Sequence, residues 1–230
     1  MWARRPLWTI AGWRCTLLTV LGAPNRDRLT ERRSATRREI VGAAWEVARE
    51  QGLAQLTLRD IAERVGMKAP SLYTHFDSKN AIYDAMFAEA WTEFRAVMTA
   101  MEARCPPDVR GTLQLYARTF FDFSVSDLTR FQLMNQRTIP GFEPSPESYS
   151  PAVLVIEGLR DRLARHGITA QEDIDLYVAL VGGLADAQLA NDPGGDRWAR
   201  LLDRVVDMYL HDLGIETDAP LTSTQEGTPP

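Results

Sequence analysis

From Ser34 onward the apolar residues recur three and four positions apart, and no stretch keeps the period of two that a half-buried strand requires. Ile40, Ala44, Val47 and Ala48 define a first helix that stops at Gln51-Gly52, where glycine supplies the left-handed turn. Thr57 stands directly before "LRDIAERVG" and three residues before Asp60, so its hydroxyl can cap a second helix while Asp60 complements the first turn. Leu58, Ile61, Ala62 and Val65 form the buried face of that helix. Gly66 allows a sharp turn, and Pro70 suits the first turn of a third helix, predicted over 70–76.

A helix of two turns is not stable alone. The third helix must therefore lean on the second through Leu72 and Phe76, with Ala62 small enough to let the two approach, and the pair reads as a helix-turn-helix. Its outward face then carries Lys68 or Ala69, Pro70, Ser71, Tyr73, Thr74 and His75. Short hydrogen-bonding groups, an apolar edge and a phenol are what reach base edges, thymine methyls and phosphates in a major groove.

The segment "LTLRDIAERVGMKAPSLYTHFDSKNAIYDAM" resembles the DNA-binding segment of the TetR family of bacterial transcriptional regulators. The likeness runs from Arg37 to Met86 and includes Gly66 at the turn, Leu72, Tyr73, His75 and Phe76, and Ser78-Lys79 at the start of helix four. It implies base or backbone contacts from Thr57, Arg59, Ala69, Pro70, Ser71, Tyr73 and His75, with Lys79 meeting a phosphate. Ala69 stands where some members carry a longer polar residue, and could make apolar contact only.

Helix four, predicted from Ser78 to Met101, turns Ile82, Met86, Ala90, Phe94, Val97, Met98 and Met101 to one side, and Pro106-Pro107 cannot continue it. Two aromatic helical segments follow, then "IPGFEPSPESYSP", whose prolines 140, 144, 146 and 151 predict an extended loop. Two last helices, 171–190 and 195–213, flank "NDPGG". The resemblance implies an effector pocket among the middle helices, for which Trp91, Phe94, Tyr116, Phe120, Phe131, Gln132 and Asn135 are the candidates. It also implies a homodimer through the last two helices, with Val178, Val181, Leu184, Ala185, Trp198, Leu202, Val205 and Tyr209 at the interface.

The expected fold is all-α, an N-terminal three-helix helix-turn-helix DNA-binding module followed by a C-terminal helical ligand-binding and dimerisation domain. The divisions are a poorly ordered extension over 1–33, the DNA-binding domain over 34–80, the effector and dimerisation domain over 81–216, and a disordered tail over 217–230.

Charge sharpens this picture. The formal net charge is -5, yet residues 1–80 hold 14 Lys and Arg against 8 Asp and Glu, a net +6, while the remainder holds 12 against 23, a net -11. A basic front on an acidic body steers one end of the molecule toward a polyanion. The basic, apolar start resembles a secretory signal, but Arg14 interrupts it and Cys15 to Ala23 is too short to span a bilayer.

Other chemistries find less support. Cys15 and Cys105, far apart in sequence, make neither a disulfide framework nor a metal spacing, which fits a reducing, cytoplasmic setting. His166 and His211 are isolated, so neither metal nor cofactor is expected. No nucleophile sits beside a base and there is no phosphate-binding glycine loop, so an enzyme is not expected; Glu172, Asp173 and Asp175 merely suit a helix N-terminus. The expected function is a dimeric, ligand-responsive regulator, a repressor released from a palindromic operator by a small molecule. A helix-turn-helix kept only for protein contacts is the alternative, against which the exposed polar set on helix three argues.

Overall fold

The computed structural model describes residues 24–215. Among these there are nine α-helices and no strand: α1 Pro24–Gln51, α2 Leu58–Arg64, α3 Ala69–Leu72, α4 Lys79–Glu102, α5 Val109–Val125, α6 Leu128–Asn135, α7 Pro146–Ala164, α8 Gln171–Asn191 and α9 Leu202–Asp212. The expected tail at 217–230 and residues 1–23 of the expected extension lie outside the described residues. Residues 24–33 of that extension form the start of α1. Pro24 costs a helix nothing in its first turn, and the following Arg, Leu and Glu residues are good helix formers.

The head is built as the spacing predicts. Ile40, Ala44, Val47 and Ala48 of α1, Ile61 and Ala62 of α2, and Leu72 and Phe76 after them are all buried in one cluster. Gly52, at φ 90°, turns the chain out of α1, and its N–H closes the helix on the Ala48 carbonyl at 2.8 Å. Thr57 Oγ1 accepts from the Asp60 N–H at 3.2 Å, as its position before α2 requires. Arg64 adds a clamp, donating to Glu46 and Glu50 and so tying α2 to α1. The third helix is shorter than expected. Regular α3 ends at Leu72, and tighter turns, with Thr74 N–H bonded to Ser71 O and His75 N–H to Leu72 O, carry the chain on to Phe76.

α4 joins head to body, and the expected division at residue 80 falls inside it, one residue after its start. Ile82, Tyr83, Met86, Phe87, Ala90 and Phe94 share one continuous cluster with the head, together with Leu133 and Met134 of α6. Met101 belongs to the second cluster, with α5, α7, α8 and α9. Val97 is 38% exposed, contrary to expectation.

The proline-rich stretch is also corrected: α7 begins within it at Pro146. Ser145 caps the helix by accepting from the Ser148 N–H, and Pro146 occupies the first turn, where its missing N–H is not needed. Pro151 lies deeper and deprives the Glu147 carbonyl of its helical donor. The Ser150 hydroxyl donates to that carbonyl at 2.8 Å and replaces the lost bond. Asp84 of α4 accepts from the Ser145 N–H and hydroxyl, each at 2.7 Å, and from the Ser148 hydroxyl at 2.5 Å, so the cap of α7 is fastened to α4.

The last helix starts later than predicted. Gln188, buried in α8, accepts from the Trp198 N–H at 2.9 Å, and Asp192 accepts from the Arg197 N–H. These bonds hold residues 195–198 in a turn, a short 3-10 segment follows at Ala199–Leu201, and α9 begins at Leu202. Tyr177 donates to the Leu113 carbonyl and Tyr209 to the Asp173 carbonyl, binding α8 to α5 and α9 to α8. Burial pushes the Tyr177 phenol well above its ordinary range, and burial with nearby Asp173 pushes Tyr209 up to about 12. Both therefore stay protonated donors at neutral pH.

Candidate nucleic-acid interface and effector cavity

α3 divides its side chains sharply. Leu72 and Phe76 are buried, whereas Pro70, Ser71 and Thr74 are exposed and Tyr73 is 56% exposed. An aromatic side chain left in water beside two that are buried contributes little to the head's stability, and its phenol is free to meet a partner. Arg59 on α2 is exposed and forms no ion pair with a described residue. Thr57 is exposed as well, but its hydroxyl also serves as the α2 cap. Ala69 is half-buried against the head core, as a small side chain at the turn allows.

His75 and Lys79 are more constrained. The His75 ring is half-buried and its Nδ1 has no hydrogen-bond partner among the described residues. Lys79 donates to the Leu56 carbonyl at 3.2 Å and lies 5.5 Å from the Tyr83 ring centroid. An ammonium has three protons, so this contact aims the group without using it up.

Two residues outside the predicted set brace this surface. Arg33 of α1 donates to the Thr74 carbonyl at 3.3 Å, and Arg37 donates to the His75 carbonyl while its guanidinium lies 3.9 Å from the Phe76 ring centroid. They satisfy carbonyls that the short α3 leaves without helical donors. The only signal in the sequence was their spacing of four on α1, which does not reveal what they face.

The seven residues proposed for the effector pocket are not brought together. Trp91, Phe94 and Phe120 pack on one another, with Phe94 centroids 6.0 Å from Trp91 and 5.6 Å from Phe120. Tyr116 and Phe131 are buried in the distal core, and Gln132 is half-buried. A cavity of about 210 Å³ lies elsewhere, between Phe87 of α4, the C-terminal end of α6 and the 136–145 connection, and of the seven only Asn135 lines it. Phe87 stacks on Tyr149 at its edge, with centroids 5.8 Å apart and planes 12° apart. The predicted aromatics fill space against each other, and the opening forms where the connection after α6 leaves the helices.

The family model for bacterial regulatory proteins of the tetR family matches residues 40–86, which span the head and the start of α4. The tetracycline repressor protein class A from transposon 1721 of Escherichia coli is 45% identical over 162 residues, 69% of each chain. The chain belongs to the TetR family. The HTH-type transcriptional repressor KstR2 of Rhodococcus jostii is 30% identical over 97 residues, 40% of this chain and 45% of that one. The structure of the regulator FadR from Bacillus subtilis in complex with stearoyl-CoA superposes with a TM-score of 0.59 at 18% identity, covering 74% of this chain and 96% of that one, a likeness of fold.

TetR-family membership makes the chain a transcriptional regulator with a DNA-binding helix-turn-helix. The residues expected at a TetR-like dimer interface divide between two faces. Val181, Leu184, Ala185, Leu202 and Tyr209 point into the subunit's own core. Val178 is 43% exposed, and Trp198 and Val205 are half-buried. The outward side of α8 and α9 carries Leu176, Ala179, Gly183 and Met208 instead. A broad apolar stripe on each helix supplies both faces, and periodicity alone does not say which side turns inward.

No helix among the described residues is long and apolar enough to cross a membrane.

Proposed function

We propose that this TetR-family chain is a homodimeric repressor that binds a palindromic operator and is released by a small molecule. The observation that supports this most is the division of α3: Leu72 and Phe76 anchor it while Pro70, Ser71 and Tyr73 stand free on the outside. Tyr73 and Ser71 read base edges, Arg59 and Lys79 meet phosphates, and Thr57 and His75 position the contact. Two such heads related by a two-fold axis would read half-sites about 34 Å apart. The outward sides of α8 and α9, with Leu176 and Met208, form the isologous contact.

The effector enters the cavity beside Phe87 and Asn135. It acts to the extent that it binds one arrangement of α4 and α6 better than another. The tetracycline repressor relative and the stearoyl-CoA complex of FadR are examples of how different the small molecules named with this fold are.

Selecting fragments of the source genome with the purified protein at physiological salt, then footprinting the best, tests the reading. A symmetric protected site is the expected result. Uniform weak binding would overturn it in favour of a helix-turn-helix that contacts proteins.

A further inference from the structure

We propose that the effector is a compact organic cation, an ammonium carried on an apolar body no larger than a single ring; this rests on the reading above that the cavity beside Phe87 and Asn135 is the effector site. Size sets the first limit. The cavity measures about 210 Å³, below the roughly 300–1,000 Å³ of pockets for drug-sized ligands. A void of roughly 150 Å³ is filled by benzene, so this one admits a ring and about four further non-hydrogen atoms.

The wall decides the charge. Three rings, Phe87, Phe142 and Tyr149, line the cavity together with the Met134 thioether, and both kinds of group attract positive charge. The two wall amides have their nitrogens engaged elsewhere: Asn135 Nδ2 donates to the Phe131 carbonyl at 3.2 Å, and Gln136 Nε2 donates to Asp186 Oδ1 at 2.7 Å. Neither amide oxygen accepts a hydrogen bond from a described residue. Acceptors left without donors beside aromatic rings suit a ligand that brings a positive charge.

An anion would find one base on the wall, Arg137, whose side chain is 92% exposed and already paired with Glu143 at 3.6 Å. A guanidinium so placed holds a ligand weakly, because water screens it. Carboxylates surround the same wall: Glu143 on it, Asp186 bonded to Gln136, and Asp84 bonded to Ser145 at the end of the connection. Residues 81–230 as a whole carry a net -11, a field that concentrates cations and repels anions. Seated in the cavity, the cation contacts Phe87 of α4 and the end of α6 at once. It favours the arrangement of the two helices that brings the rings closest to the charge.

The test uses the full chain with three single-ring probes: phenyltrimethylammonium, its uncharged isostere tert-butylbenzene, and benzoate. Calorimetry measures binding, and fluorescence anisotropy follows release of the operator fragment recovered above. The cation should bind about tenfold more tightly than the isostere, with benzoate weakest, and should lower operator affinity. Tyr149→Leu and Phe142→Leu each keep an apolar side chain but remove a ring, and Tyr149 is 50% exposed, so its variant folds. Both should weaken the cation several-fold while the isostere binds as before. An isostere or benzoate that binds as tightly as the cation would overturn the cationic class, and the cavity reading would stand if that probe releases the operator. Equal weakening of cation and isostere in both variants would mean that the rings only fill space, and an unchanged cation affinity would place the ion elsewhere; either overturns the proposal. Cation-selective binding that leaves operator affinity unchanged, or no binding by any probe, would remove the effector reading of the cavity and the proposal with it.

Discussion

Arg49 in the last turn of α1 and Asp127, the cap of α6, form an ion pair with Nη2 and Oδ2 2.8 Å apart. The pair joins the end of a head helix to the start of a short helix whose other end, at Leu133 to Asn135, walls the cavity. Trp45 adds a second tie from α1 to the body, donating to Glu89 of α4 at 3.1 Å.

The two partners should not be equal on mutation. Arg49 is half exposed, so Arg49→Ala removes a surface ion pair worth about 0.2–1 kcal/mol. Asp127 also accepts from the Arg130 N–H at 3.0 Å, and Asp127→Ala should cost about 1–2 kcal/mol more through the lost cap. Urea unfolding of both variants checks the order. Equal losses would mean that the cap contributes nothing.

On the DNA face, exposure and function should separate. Tyr73→Ala and Ser71→Ala are expected to shift operator preference while stability changes by less than about 0.5 kcal/mol. Leu72→Ala, next in sequence to both, should destabilise the head by about 2–5 kcal/mol. Lys79→Ala should weaken binding to all sequences and lower the salt slope by about 0.9. Fragment selection and thermal unfolding on the same samples distinguish these outcomes.

Asp84 gives a pH signature. Desolvation opposes its charge, but bonds from Ser148 and Ser145 outweigh this and hold the carboxyl below the ordinary 3.8. A carboxyl depressed on folding stabilises the native state above its unfolded pKa, and that contribution is lost as pH falls through the lower, folded value. Asp84→Asn should therefore be less stable than wild type at pH 7, by about 2 kcal/mol, with the gap closing below pH 4. A gap that stays constant from pH 7 to pH 3 would show that the carboxylate's charge is irrelevant to the clasp.

For the dimer, the exposed face makes Met208→Glu the sharper substitution. Met208 is 60% exposed, so a charge there leaves the subunit core intact while it would disrupt the apolar contact proposed between copies. Light scattering should report monomers, and Val205→Glu should do the same with some added loss of stability, because Val205 is half-buried. Unchanged dimers in both would place the interface elsewhere.

The features legible in the sequence are local and periodic. The Thr57 cap, the left-handed Gly52, Pro70 in a first turn and the 3.6-residue spacing of Ile40 to Ala48 act within a few residues of themselves, and the head follows them closely. The exposed set on α3 was legible for the same reason, since burial of Leu72 and Phe76 fixes which side chains face out. Tertiary structure alone decided the rest. Whether Tyr209 or Met208 turns inward depends on where α5 and α8 lie, and α9 is amphipathic enough to be placed only by its neighbours. The cavity beside Phe87 arises from the path of the 136–145 connection, and the helical start of α7 depends on Ser145 and Ser150 replacing donors that prolines remove. The engagement of Arg33 and Arg37 with α3 joins residues about forty positions apart. Contacts of that separation leave no period in the sequence, because they are set by how helices meet rather than by how each one forms.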